Sequence, residues 1–272
     1  MSVRALVVSG IIAAGVLTSS FALAGFSLQA SGNQGRTWAQ VAKLPDFTTG
    51  IWEIPLGGPR PPGPPGAARP VFTPPPQPQL TPAYAEKLKA YNEARAKGQE
   101  QDTPAANCVP PGMPEIMGQP YPIQIMFGPG QISIQAEAYQ QIRHIYTDGR
   151  GHPDDPDDTY NGNSIGHWEG GTLVVDTVAF TTDTPLGQNY GLRHSEKMHI
   201  VERMHLTDPD TLVIETTITD PEALVQPIVS SRTFKRHRDW TISEYVCEQN
   251  NRNLVDDSGH AGILLAPPPQ DK

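Results

Sequence analysis

Positive charge is scarce in this sequence. Twenty Lys and Arg stand against 29 Asp and Glu in 272 residues, a formal net charge of −9 at pH 7. That balance leaves no basic surface for a phosphate backbone, so nucleic acid is excluded as a partner. Whole motif classes are also missing. Gly162-Asn163-Ser164-Ile165-Gly166 has the Gly-x-Ser-x-Gly spacing but runs into a predicted strand where a nucleophile elbow needs a helix, and there is no phosphate-cradling Gly-x-x-x-x-Gly-Lys loop, no Cys-x-x-Cys pair and no Gly-x-Gly-x-x-Gly after a strand. Serine hydrolase, NTPase, thiol oxidoreductase and nicotinamide chemistry fall away with them.

Cysteine is nearly absent, with only Cys108 and Cys247. A widely spaced even pair suits a disulfide in an oxidising compartment, stabilising by roughly 2 to 4 kcal/mol; two free buried thiols are the alternative. Long apolar runs are equally rare. The single one, Val7 to Ala24, follows Arg4 and ends in the small-x-small pattern Ala22-Leu23-Ala24. It reads as a secretory leader over residues 1–24, with a second cleavage point at Ala30. An uncleaved anchor is the alternative, against which stand Gly10, Gly15, Ser19 and Ser20 within the run. The expectation is a periplasmic or secreted chain with no stable membrane insertion once the leader is removed.

What is abundant is Pro and Gly, 29 and 25 residues. Residues 31–54 form an N-terminal segment in which a turn at residues 45–50 leads into a short strand at residues 51–54, with Trp52 plugging one end of a core. Residues 55–80 form a Pro-rich strap of extended, polyproline-like character. Thr81-Pro82 then supplies a helix start, Tyr84, Leu88 and Tyr91 recur at helical spacing, and Gly98 ends the run, predicting one peripheral amphipathic helix over residues 81–98. From Cys108 onward the period becomes two. Strands are predicted at residues 123–127, 131–137, 141–147, 164–168, 172–178, 197–206, 212–218, 229–235 and 240–246, separated by turn residues. With residues 31–54 they make one all-β domain spanning 108–264, an antiparallel meander closing into a barrel-like or calycin-like sheet around a cavity.

Six of the eight histidines fall between positions 144 and 205. Strand alternation places Glu202 on one face with Met198, Ile200 and Met204, and with His194 if the strand extends that far back. A carboxylate there needs a partner, such as Arg143 or Arg232, or it is a carboxyl with a raised pKa suited to acid/base work. Ser164, Gly166 and Trp168 share a face on which two small residues leave room for a ligand or for another aromatic ring. Asp176 sits on the face of Val174 and reads as solvent-facing. Between Asp148 and Asn163 runs a polar loop with His152, Tyr160 and four further aspartates. Its spacing does not match a calcium loop, and the histidines show no close zinc spacing, although ligands could converge in space.

The runs Cys108-Val109-Pro110-Pro111-Gly112-Met113-Pro114 and Pro120-Tyr121-Pro122-Ile123-Gln124-Ile125, together with Tyr146-Thr147-Asp148-Gly149-Arg150, Ser164-Ile165-Gly166-His167-Trp168-Glu169-Gly170 and Glu202-Arg203, resemble a broad family of exported bacterial proteins. The resemblance covers most of the chain beyond the leader. It implies an exported β-rich domain and supplies no catalytic role. Gly171 stands where that family usually has an acidic residue.

The expected function is an exported, cofactor-independent enzyme acting by acid/base chemistry on a small apolar or aromatic molecule, of lyase, dehydratase or isomerase type. The alternative is a non-catalytic small-ligand-binding barrel of the cell envelope. The catalytic candidates are Glu202 and His194 as acid or base, Tyr160 and His152 as hydrogen-bond donors and Arg143 as charge stabiliser. The ligand-binding candidates are Trp168, Ser164, Tyr146 and Met198. No organic cofactor is called for, and a metal is left open.

Overall fold

Short apolar-alternating runs bounded by Gly, Pro and Asp become strands wherever a partner edge exists. A computed structural model describes residues 36–55, 77–97, 107–187 and 192–247, with the backbone of 254–255 and 261–262. The leader and most of the Pro-rich strap lie outside these residues.

Nine strands form a closed barrel in chain order. They are β1 (Ile51–Glu53), β2 (Ile123–Gly128), β3 (Gln131–Ala136), β4 (Ile142–Tyr146), β5 (Asn163–Glu169), β6 (Thr172–Val178), β7 (His199–Asp208), β8 (Thr211–Thr219) and β9 (Ile228–His237). β9 returns to pair with β1, Trp52 lying opposite Arg236, which closes the sheet. Two short strands, β10 (Leu254–Val255) and β11 (Ala261–Gly262), pair separately. The all-β, barrel-like expectation holds, with two corrections.

The first concerns the meander. Eight neighbouring pairs are antiparallel, but β4 and β5 run parallel, Ile145 opposite Ser164 and Tyr146 opposite Ile165. The polar segment 147–162 therefore carries the chain back along the barrel without a helix. Gly166 permits this junction, because a Cβ there would lie 2.8 Å from Ile145 Cγ2. The second concerns residues 240–246, which form no strand. β9 is already hydrogen-bonded to β8 on one side and, at its end, to β1 on the other, so no free edge remains there for a tenth strand.

Among the described residues two α-helices accompany the sheet. α1 (Trp38–Val41) is one turn with a capping box between Thr37 and Gln40. α2 (Pro82–Ala96) carries Pro at its start and covers Tyr84, Leu88 and Tyr91, the predicted stripe. It docks where Leu80 bridges Leu224 and Thr81 Oγ1 donates to the Glu222 carbonyl at 2.7 Å.

Inward residues of every strand join one buried cluster, including Ile125, Ile134, Ile145, Val175, Ile200, Ile214 and Phe234. One end is closed by Phe47, Phe127 and Trp168, whose ring centroids lie 5.5 to 5.9 Å apart. Beside them Trp52 is fully buried under the Arg236 guanidinium, 4.2 Å from its ring, and donates to the Phe47 carbonyl. The opposite end is filled by Phe180, Leu186, Leu192, Met198 and Leu224 with α2. Along these rows the described interior is filled by buried apolar side chains. Cys108 and Cys247 are joined in a disulfide, their Cα atoms 5.6 Å apart. No helix among the described residues is long and apolar enough to cross a membrane.

Candidate functional site

Inside the barrel, alternation brings four polar side chains together on consecutive strands. Arg143 of β4 donates through Nε to Ser164 Oγ at 3.1 Å, and through Nη2 to Thr177 Oγ1 at 2.9 Å and Glu202 Oε2 at 2.5 Å. Ser164 and Thr177 hydroxyls also share a 3.0 Å hydrogen bond. Arg143 is 3% and Glu202 1% exposed. Arg143 Nη1 has no hydrogen-bond partner among the described residues. Of the two readings left open for Glu202, the geometry is that of the buried ion pair with Arg143. It fastens β4, β5, β6 and β7 to one another, and its burial leaves the carboxylate no contact with solvent.

His194 is elsewhere. Ser195 to Met198 turn sharply, Met198 N–H donating to the Ser195 carbonyl, so the face shared by Ile200 and Glu202 does not extend back to it. Its Nδ1 meets the Ser195 carbonyl at 2.7 Å and its Nε2 the Thr184 hydroxyl at 2.6 Å. Burial pushes its pKa below the ordinary histidine value, against the pull of the Ser195 carbonyl and Asp220. Among the described residues it has no hydrogen bond to Arg143 or Glu202. Trp168 and Met198 are likewise part of the packing, Trp168 in the aromatic plug and Met198 2% exposed.

The remaining candidates gather on the outside, where segment 147–162 crosses over. A groove of about 540 Å³ runs between this crossover and the outer face of β4. Ile142, His144, Tyr146, Pro153, Tyr160, Asn161 and Ser164 are among its lining residues. Two sequence candidates, Tyr146 and Tyr160, thus meet in one place, whereas the Ser164 side chain is turned inward as the buried partner of Arg143 and Thr177. The crossover is held by Met113 N–H to the Tyr160 carbonyl at 2.8 Å and by Asn161 Nδ2 to the Ile142 carbonyl at 3.2 Å. Arg150 stacks 4.2 Å above the Tyr146 ring and is held there by Asp148. The turn at Gly162 needs its φ of +68°, and a Cβ there would strike Phe180 at 2.6 Å.

His144 was not among the sequence candidates. Its Nδ1 lies 3.0 Å from Gln131 Nε2 and 3.2 Å from Ser133 Oγ. Gln131 can donate to that nitrogen when it is bare, and Ser133 can accept from it when it carries the proton. Nδ1 is satisfied in either tautomer, and Nε2 has no protein partner among the described residues. Asn161 Oδ1, buried in the wall, also has none.

Comparison with protein-family models, curated proteins and solved structures finds no match.

A second outer cluster was also missed. His152 Nδ1 meets Asn163 Oδ1 at 2.7 Å and its Nε2 meets Asp176 Oδ1 at 2.9 Å, while His199 Nε2 meets Asp176 Oδ2 at 2.9 Å. His152 is therefore a tether for the crossover, with both nitrogens engaged. Asp176 is not merely solvent-facing. Burial alone would raise its pKa, but hydrogen bonds from His152 and His199 outweigh this and hold it below the usual aspartate value. The signal lay in parity, since Asp176 and His199 both point outward from neighbouring strands. Among the described residues no group of three His, Cys, Asp or Glu side chains is placed to hold a metal ion.

Proposed function

We propose that this protein is an exported enzyme that binds a small apolar or aromatic molecule in the crossover groove and moves a proton on it. His144 is the acid or base, and the Tyr160 hydroxyl is the hydrogen-bond donor beside it. The reaction class is elimination, dehydration or isomerisation, which needs no organic cofactor. The observation that carries the reading is His144 itself. Its ring is oriented through Nδ1 by two groups that suit either tautomer, Nε2 has no partner among the described residues, and the residue lines a groove of ligand size, as a general acid/base requires. Tyr146 and Ile142 supply apolar walls. In this reading Arg143 and Glu202 hold the barrel together beneath the groove. Export to the periplasm or the medium follows from the leader-like N-terminus and the disulfide.

The burial of Glu202 and His194 favours a second reading, a binding protein that uses the same groove without chemistry. One experiment separates the two. Mixtures of small aromatic and unsaturated compounds are incubated with the protein in D2O, and proton NMR follows deuterium uptake and product signals. Turnover that disappears in His144→Gln, with groove binding retained, is the expected result. Binding without turnover in any mixture identifies the binding protein, and absence of binding at the groove overturns both.

A further inference from the structure

A second groove, of about 580 Å³, lies between the outer face of β1 to β3 and the irregular segment 238–244. Its lining is polar and uncommitted. Gln124 and Gln135 stand directly opposite each other on β2 and β3, and Gln140 follows in the β3–β4 connection. None of the three side chains has a hydrogen bond within the protein among the described residues. A primary amide offers both an acceptor oxygen and two N–H donors, the complement of a hydroxyl, which donates one hydrogen bond and accepts others. Thr241 and Ser243 add hydroxyls to the same lining.

The groove also contains Trp240, a large aromatic residue that remains 43% exposed. One face of its indole stacks on His237, with centroids 3.7 Å apart and planes within 10°. His237 is in turn bonded to Glu53 at 3.1 Å, so the indole is supported from beneath and its other face is left open. The far wall is pinned by Ser243 N–H to Glu137 at 2.7 Å. The charges nearby do not select an ion. Arg238 is held by Asp210, and Glu244 sits in the same lining.

From these features we infer that the groove binds an uncharged saccharide. A pyranose presents a flat face of C–H groups, which suits the electron-rich face of a fixed indole, and a rim of hydroxyls, which suits paired amides. An aromatic ligand would leave the amides unused, and an anionic one would meet Glu244. The inference is independent of the crossover groove and of the proton transfer proposed there.

The test is isothermal titration of the oxidised, full-length mature protein with cellotetraose, chitotetraose, maltotetraose and xylotetraose, with saturation-transfer NMR as a second readout. At least one is expected to bind at millimolar concentration or below. Trp240→Ala should then weaken binding at least tenfold, and Gln135→Ala several-fold, with the melting temperature unchanged. Gln135 lies on a strand surface away from the stack, so its variant decides the matter if loss of the indole disturbs the segment. No binding of any of the four overturns the inference, as does binding that neither substitution weakens.

Discussion

Replacing Glu202 by Gln removes one charge from a pair that is almost wholly out of water, and the consequence can be worked from its contacts. Arg143 keeps its cation, loses the carboxylate at 2.5 Å, and retains only the hydroxyls of Ser164 and Thr177. Its Nη1 is already without a partner among the described residues, so no spare acceptor is at hand there. Breaking a buried ion pair from one side costs about 3–5 kcal/mol, and the amide carbonyl left in place puts this case near the lower figure. In a domain of this size that is roughly 6–12 °C in melting temperature. Arg143→Met strands the opposite charge and should cost at least as much. Arg143→Met combined with Glu202→Leu should recover most or all of the loss, because Ser164 and Thr177 satisfy each other at 3.0 Å once the guanidinium is gone. Urea unfolding followed by tryptophan fluorescence, with Trp52 and Trp168 in the packed interior, measures all three variants. The reasoning is refuted if Glu202→Gln stays within about 1 kcal/mol of the parent, or if the double variant loses the sum of its two singles.

Three further outcomes follow from other contacts. The Cys108–Cys247 bridge spans 139 residues, so reduction or a Cys247→Ala change should cost about 2–5 kcal/mol, read as a lower urea midpoint under dithiothreitol than under oxidising conditions. Because burial lowers the His194 pKa, its protonation favours the unfolded chain. Its stabilising contribution is complete above the unfolded value near pH 6.5 and is lost progressively as pH falls below it, so the melting temperature of His194→Gln should decline less between about pH 7 and pH 5 than that of the parent. Gly166→Ala places a Cβ 2.8 Å from Ile145 and should cost about 1–3 kcal/mol in the same unfolding assay, whereas Gly151→Ala, with open space around it, should cost little.

The parts of the fold that were legible in the sequence are those set by local chemistry. Gly128-Pro129-Gly130, Glu169-Gly170-Gly171 and Asp208-Pro209-Asp210 mark hairpins because their turn geometry and the flanking alternation act over a few residues. Closure also followed, since so many short strands need partners for their edges. The parallel pair did not, because a polar stretch from 147 to 162 has no periodicity to show that it crosses the sheet. Residues 240–246 illustrate the converse, where an alternating pattern forms no strand without an edge to accept it. The interior half of the polar network was readable from parity, which placed Glu202 among apolar neighbours and named Arg143 as one of two possible partners. His144 and the Asp176 cluster were not, because Gln131, Ser133 and His152 reach them from a neighbouring strand and from the crossover, through registers that local sequence does not specify.

The central claim is that the ligand site lies outside the barrel, under the crossover. Its most direct measurement is a fragment screen on isotope-labelled protein, reading amide shifts residue by residue with small aromatic probes. The account predicts shifts concentrated at Ile142, His144, Tyr146 and residues 160–163, lost when Tyr160→Trp fills the groove, with Val175 and Ile200 unmoved. Probes that instead shift the interior residues around Glu202, or that leave the crossover untouched, would contradict it.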